Sequence, residues 1–294
     1  MEPFEIPAHF HRSYTSNVEM LLRRMGPVLL PYVSMGAYSG EAAQVVKQFG
    51  DVEFSEKTTR HSDTQFDELI HKQRWVFPTD YVLAIPVDKE DELKMLDSPL
   101  SPYAEAGRLA YGKKIDDIII PSFFASAQTG KNGATPTVYD TNNTVEVNLP
   151  TGADRGLTIE KLRKARRLML QKHIDLKAEQ PYIGVTAVQL DDLLANTTVT
   201  SADYNSVKAL VNGEIDTFLG FKFVHNEGFE VDANADRKCP VWVKSGIHFA
   251  QWNGLVTRIG DRADKNYLTQ IHMSFSGAAT RVNEDKVFQI LCAE

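Results

Sequence analysis

Residues 101–121, which read SPYAEAGRLAYGKKIDDIIIP, predict the longest helix of the chain. Ser101 is a preferred N-cap residue, and Pro102 suits the first helical position, where the N–H that proline lacks would have no partner. Apolar side chains recur at helical spacing along the stretch. Pro121 would remove a hydrogen bond and crowd the preceding turn, so we expect a kink or an end there. The helix is predicted within residues 98–127.

The two segments at the start of the chain carry too few apolar residues for a core of their own. Residues 1–50 are interrupted by four prolines and predict an extended arm, which either contacts neighbouring chains or lies as a strap across its own domain. Residues 51–79 are polar and charged and predict two strands joined by a solvated tip. Ordering such segments costs roughly 1–2 kcal/mol per residue, which only burial against another surface offsets. We therefore expect them to order on copies of the chain.

The remaining segments predict an α+β fold. Residues 80–88 read as a buried strand that Pro86 ends. Residues 128–156 are rich in Gly, Thr, Asn and Pro and predict a loop, with a short hairpin through Val138-Tyr139 and Val145–Val147. A second helix is expected after the N-cap Thr158. Further on, the patterns predict strands at 182–188, 218–224, 241–252, 265–275 and 287–292, and short helices at 189–194 and 201–211.

The composition excludes several classes of protein. The 294 residues include 32 Lys and Arg against 39 Asp and Glu, a formal net charge of −7, which argues against a protein that grips nucleic acid by its backbone. The two cysteines, Cys239 and Cys292, cannot form a disulfide framework and predict a reduced, cytoplasmic product. The N-terminus lacks the basic region of a signal peptide, and no apolar stretch reaches the ~20 residues that span a bilayer.

No catalytic pattern is found in the sequence. There is no phosphate-binding loop, no GxGxxG after a strand, no GxSxG and no HExxH. His9 and His11 lie in the arm without an acidic partner nearby, and the adjacent Asp116 and Asp117 are expected on a helix surface. We therefore expect a protein that is not an enzyme, with no cofactor and no metal.

One helix concentrates positive charge. Its face is either simply solvated or contacts an acidic partner or enclosed nucleic acid, and such contacts would be sensitive to salt. The residues of this predicted basic patch are Lys161, Arg163, Lys164, Arg166, Arg167 and Lys172.

Four stretches carry a resemblance to a known family. They read FLGFKFV at 218–224, VWVKSGIHFA at 241–250, GAATR at 277–281 and VFQILC at 287–292. In content and order they are similar to strands of the major capsid protein of tailed bacteriophages, which has the Hong Kong 97-type capsid fold. The resemblance covers nearly the whole chain. It implies an N-terminal arm at 1–50, an extended hairpin loop at 51–79, a peripheral domain with a spine helix and a loop insert at 80–160, an axial domain at 161–262, and a return to the peripheral domain at 263–294.

The resemblance also implies a function. Such a subunit assembles with copies of itself into hexamers and pentamers that form the icosahedral head of a tailed double-stranded DNA phage. It would enclose the DNA without sequence-specific binding, would meet no membrane, and would belong to a virion assembled in the host cytoplasm. A separate scaffolding protein and a portal are expected as partners, and decoration proteins are left open. The alternatives are an encapsulin-like nanocompartment shell protein and an enzyme whose site is not recognised.

The resemblance places candidate contacts between subunits in the arm and the hairpin. Lys57 lies where some family members cross-link a lysine to a neighbour's asparagine, although no partner asparagine or catalytic glutamate can be identified here. The basic helix, Leu157–Lys177, is expected to face the lumen of the shell. The candidate contact residues are Phe10, Arg12, Tyr14, Phe54, Lys57, Arg60 and Phe66.

Overall fold

The computed structural model describes residues 26–49, 54, 56, 71–87, 100–149, 152, 154–195, 217–265 and 267–294. Within them, three α-helices are found: α1 (Leu100–Ser122), α2 (Ile159–Gln171) and α3 (Ala187–Ala195). The strands are β1 (Ser34–Ala37), β2 (Ala43–Phe49), β3 (His71–Val76), β4 (Thr79–Val87), β5 (Ala127–Thr129), β6 (Thr135–Thr137), β7 (Thr144–Val145), β8 (Pro181–Val185), β9 (Thr217–Phe218), β10 (Phe221–His225), β11 (Arg237–Val243), β12 (Ile247–Arg262), β13 (Leu268–Arg281) and β14 (Val287–Cys292).

The long helix predicted from the sequence is present as α1. It begins at Leu100, so the predicted N-cap Ser101 lies inside it. It ends at Ser122, one residue after Pro121, as expected for a proline that removes a hydrogen bond. Its inner side chains, which include Ile115 and Ile119, are buried in one core cluster with Trp242.

A long sheet lies beside α1 and has the strand order β1-β12-β13-β4. β12 and β13 form a long antiparallel hairpin, and β4 pairs with β13 from Thr79 to Val87. The prediction of a buried strand ended by Pro86 is wrong for β4, which runs through Pro86 and is largely exposed. Its apolar composition suggested burial on both faces. The strand instead lies at the edge of its sheet, where proline is tolerated.

A six-stranded sheet, in the order β7-β14-β11-β8-β10-β9, forms the second half of the fold. β8 and β10 are parallel, and α3 lies in the connection between them. Side chains of α2, including Leu162, Ala165 and Met169, pack against this sheet in a second core cluster. Helix α2 begins after Thr158, whose hydroxyl accepts a hydrogen bond from the Lys161 N–H, so the predicted cap is confirmed. The strand predicted at 287–292 is confirmed as β14.

The smallest sheet, β2-β3-β5-β6, contains as β3 the second strand of the predicted hairpin, whereas the predicted first strand lies largely outside the described residues. Its first strand, β2, lies at Ala43–Phe49, within the stretch predicted to be arm. A bulge between Gln44 and Val46 breaks the alternation of side chains, which hid this strand from pattern analysis. The short hairpin predicted through Val138-Tyr139 and Val145–Val147 is wrong, because β5 pairs with β6 while β7 pairs in parallel with β14. The helix predicted at 201–211 lies outside the described residues.

Candidate assembly surfaces

At the far end of the long sheet, Val87, Ile271 and Met273 form a small buried cluster, whereas the neighbouring part of β12 is exposed. Every residue of β12 from Thr257 to Arg262 is exposed, so both faces of this part of the strand lie open to solvent. Large apolar side chains are exposed there as well, with Val82 65%, Ile259 55% and Tyr267 62% accessible. Apolar surface of this kind, on two faces of one sheet, is typical of a surface that another protein covers.

The hairpin of β2 and β3 also leaves the body. β3 pairs with β5 only at Arg74 and Trp75, and farther out β3 pairs only with β2 among the described residues. A two-stranded hairpin is marginally stable at best in water. Phe54, in the described part of the segment beyond β2, is fully exposed. The hairpin therefore has the construction of an element that is stabilised by a second surface.

Polar contacts hold the base of this hairpin. Arg74, only 3% exposed, donates from Nη2 to both carboxylate oxygens of Glu284, at 2.8 and 2.9 Å, and from Nε to the carbonyl oxygen of Val282 at 3.1 Å. Trp75 donates its indole N–H to the Gly130 carbonyl oxygen at 2.8 Å. The sequence offers few large apolar groups to anchor the hairpin, and this polar anchor could not be predicted because its partners lie far apart in the chain.

Residues 26–37 of the predicted arm lie on the body of their own chain. The Val28 and Leu29 N–H groups donate to the buried carboxylate of Asp116, at 3.0 and 2.9 Å. The expectation that Asp116 lies on a helix surface is therefore wrong, whereas its neighbour Asp117 is exposed. Gly26 crosses α1 so closely that an added Cβ would lie 2.8 Å from the carbonyl carbon of Gly112. For residues 26–37 the strap alternative is correct.

Strand β1 extends this strap along β12. His248, only 8% exposed, lies between Ser34 (Nδ1 to Oγ, 2.8 Å) and Tyr38 (Nε2 to Oη, 3.0 Å). Ser34 Oγ donates to the carbonyl oxygen of Ile247, so the serine accepts from His248 Nδ1–H and the ring accepts the tyrosine proton at Nε2. Burial lowers the pKa of His248. The neutral ring therefore satisfies every partner in this chain of bonds.

The predicted basic patch is smaller than its sequence suggests. Lys161 is fully buried, and its Nζ donates to the carbonyl oxygens of Arg155 (2.5 Å), Gly156 (2.9 Å) and Leu291 (2.8 Å). Burial lowers the pKa of this lysine. Its inclusion in a surface patch is wrong, because the ammonium group ties α2 to the end of β14.

The other basic residues of the patch lie nearer the surface. Arg166 donates to the Leu219 carbonyl oxygen at 2.7 Å, and Lys172 pairs with Asp285 at 2.6 Å. Arg163 and Arg167 are exposed, Lys164 is half-buried, and none of the three forms an ion pair with the described residues. These three cations therefore form the available part of the patch.

Other candidate residues lie outside the described part of the chain. These are Phe10, Arg12, Tyr14, Lys57, Arg60 and Phe66. Across the residues that the structure describes, no group of three or more His, Cys, Asp or Glu side chains could hold a metal ion. None of the helices in this part is long and apolar enough to cross a membrane.

Comparisons with known proteins identify the family to which the chain is similar. A family model described as "Phage capsid protein" matches residues 6–294. Among solved structures, the capsid subunit of cyanophage Pam1 superposes with a TM-score of 0.74 at 11% identity, covering 100% of this chain and 99% of that one. The capsid subunit of cyanophage P-SCSP1u gives 0.71 at 14% identity, covering 96% and 93%. A search of curated proteins finds no match.

The structural likenesses show the fold, and the family model covers almost the whole sequence. Together they confirm the predicted Hong Kong 97-type capsid fold and favour a phage capsid over a nanocompartment shell. The exposed sheet end and the two-stranded hairpin are candidate surfaces for contacts between copies of the chain. The chain belongs to the phage capsid protein family, as a major capsid protein that forms the head and is part of the virion.

Proposed function

We propose that the chain assembles into hexamers and pentamers that close an icosahedral shell around packaged double-stranded DNA. The observation that carries this proposal is the exposed far end of the long sheet, where β12 is exposed from Thr257 to Arg262 and Val82, Ile259 and Tyr267 present apolar side chains to solvent. A second copy that covers this surface would remove it from water. Burial of this kind stabilises the contact by about 25 cal/mol per Å² of apolar area. Many modest contacts of this kind add up in a closed shell.

The proposal assigns a role to each segment. Within the arm (1–50), the part outside the strap at 26–37 contacts adjacent subunits, as does the hairpin loop (51–79), through residues such as Phe54 and Lys57. The peripheral domain (80–160 and 263–294) is the rigid body around the spine helix, and the axial domain (161–262) packs around the symmetry axis of each ring. Support comes from the two-stranded construction of the hairpin beyond Arg74.

The available basic residues of α2 are proposed to face the lumen. Arg163, Lys164 and Arg167 are the cations that could contact DNA phosphates. Such contacts would be few, non-specific and weakened by salt. The formal charge of −7 supports weak rather than tight DNA binding, which would let DNA be packed and released.

The function is mechanical rather than catalytic in this proposal. Assembly takes place in the host cytoplasm, with a separate scaffolding protein and a portal as partners and with decoration proteins as a further option. No cofactor takes part. The support is the sequence, which contains none of the catalytic patterns sought, and the family, which is one of structural proteins.

Negative-stain microscopy and gel filtration of the overexpressed full chain test the proposal. The chain would be produced alone and together with the other head proteins of its phage. We expect closed particles of uniform size built from rings of five and six subunits. A protein that stays a monomer or dimer in both preparations would contradict the shell function.

A further inference from the structure

The turn between β13 and β14, residues 281–286, is fixed to the end of α1; we call it the junction turn. Arg281 is fully buried, and its Nη1 donates to the carbonyl oxygens of Phe123 at 2.8 Å and Ala125 at 3.0 Å. Its Nε lies 3.7 Å from a carboxylate oxygen of Glu284. Hydrogen bonds from a charged group are stronger than neutral ones, so Arg281 holds the junction turn firmly against the end of α1. The junction turn is therefore part of the rigid body of the subunit.

The same carboxylate receives Arg74 from the hairpin. Both oxygens of Glu284 accept from one guanidinium nitrogen, while Arg74 Nε is bonded to the backbone of the junction turn. Three bonds from one planar group constrain the direction of the hairpin as well as its distance from the body. The side chain of Arg74 is 3% exposed and that of Glu284 is 24% exposed, so water screens this pair less than a surface pair.

Arg74 is also the outermost residue of β3 that pairs with β5, so it lies at the outer limit of the hairpin's attachment to the body. Pairing of β3 with β5 stops at Arg74, which lies opposite Thr129. The bulge in β2 falls at the same level, between the residues that pair with Trp75 and Arg74. A bulge bends its strand and increases the local twist. The attachment and the bend therefore coincide at the base of the free part of the hairpin.

We propose that the Arg74–Glu284 pair is the positioning device of the hairpin. It sets the direction in which β2 and β3 leave the body, and so determines where the hairpin meets a second copy of the chain. This inference rests on the proposed function, in which the hairpin contacts an adjacent subunit. Arg74 and Glu284 are positioning residues, because they act through the hairpin and not by touching the neighbour.

Variants at Arg74 and one matched control test the proposal. Arg74→Lys keeps the charge but offers one ammonium group in place of the planar fork, and Arg74→Gln removes the charge. Asp285→Asn is the control, because it removes the exposed ion pair with Lys172 one residue from Glu284. Each full-length variant is produced like the wild type, and is studied by hydrogen exchange of the unassembled subunit and by negative-stain microscopy of particles.

We expect both Arg74 variants to fold and to assemble poorly. Exchange of the outer hairpin amides, residues 47–49 and 71–73, should be about tenfold faster, with unchanged exchange in β12 and β13. The yield of closed particles of wild-type size should fall about tenfold. The particle yield should fall less for Arg74→Lys than for Arg74→Gln, and Asp285→Asn should behave like the wild type.

Several results would overturn the inference. Closed particles of wild-type size and yield from both Arg74 variants would exclude a positioning role, as would exchange that rises equally in every sheet. If Arg74→Gln does not fold, particles of wild-type size and yield from Arg74→Lys would by themselves exclude the positioning role. Failure of the wild type itself to form shells would refute the proposed function, whereas the exchange measurement would still decide whether Arg74 holds the hairpin.

Discussion

Asp116 and Lys161 are two charged residues that the sequence placed on helix surfaces and the structure places inside. Each is bonded to backbone groups of a distant segment: the carboxylate to the amides of residues 28 and 29, the ammonium group to three carbonyl oxygens. A buried charge is tolerated only where hydrogen bonds replace its hydration. These two residues therefore act as polar attachments between elements, and neither is available for contacts with a partner.

Asp116→Asn should weaken the attachment of the strap to α1. An asparagine can accept one of the two amide hydrogens but turns its own N–H₂ group towards the other. Leaving a buried donor unsatisfied costs about 1–3 kcal/mol, and we expect a loss of that size in the free energy of unfolding. Urea denaturation measures it, with Asp117→Asn at the adjacent exposed position as the control. Equal stability of the two variants would contradict the prediction.

His248 should make the stability of the subunit depend on pH. Burial lowers its pKa below the ordinary value of 6.5, so the unfolded chain takes up the proton first as the pH falls. The free energy of unfolding is therefore fully retained above pH 6.5 and decreases as the pH falls below it. Thermal unfolding at pH 7.5 and 5.0 measures the loss, which should be smaller in His248→Gln. If both proteins lose the same amount, His248 is not the titrating group.

At the scale of elements, α1 carries a contact site for the strap that crosses it. Gly112 and Asp116 lie four residues apart on one face of the helix, where the chain at residues 26–29 passes over it. Helical residues at this spacing lie one above the other. Neither residue belongs to the apolar stripe that predicts the helix, and together they create a place for the strap.

Gly112→Ala should destabilise the subunit, although alanine favours a helix by about 1 kcal/mol over glycine. The added Cβ would overlap the backbone at Gly26, which cannot move aside like a side chain. Overpacking of this kind costs typically about 1–3 kcal/mol. Gly107→Ala is the matched control on the same helix, because its Cβ would meet the side chains of Met273 and Leu83 rather than backbone, and a methionine side chain is flexible. A Gly112→Ala subunit as stable as the wild type in thermal unfolding would disprove the close approach.

At the scale of the whole molecule, a well-packed body carries two poorly supported extensions. The described residues form three core clusters: one beneath α1, one between α2 and the six-stranded sheet, and a small one of Val87, Ile271 and Met273 towards the far end of the long sheet. The exposed part of β12, Thr257–Arg262, and the described part of the hairpin contribute to none of these clusters. Assembly can therefore use the extensions without disturbing the packing of the body.

Deletion of residues 56–64 from the hairpin segment should separate folding from assembly. The deleted stretch is polar and charged throughout, so we expect a folded subunit with a melting temperature within a few degrees of the wild type. Closed shells should be absent, because the contact with the adjacent subunit is lost. Circular dichroism and negative-stain microscopy check the two halves of this prediction, and normal particles would refute the bridging role of the hairpin.

The sequence by itself determined the elements whose signals are local. The stripe that ends at Pro121 predicted α1, Thr158 predicted the start of α2, and residues 287–292 predicted β14. Caps, prolines and side-chain periodicity act over a few residues, so a single chain segment contains the whole signal. The capsid-type fold followed from the order of such segments.

Only the tertiary structure decided which residues are buried and what they bind. The pairing of β1 with β12, the burial of Lys161 and the contact of Arg74 with Glu284 each join segments more than 100 residues apart. Burial depends on what the rest of the chain places over a residue, and no periodicity within one segment encodes that. The sequence could therefore predict the hairpin, whereas its attachment to the body appears only when the distant turn at residues 281–286 folds against it.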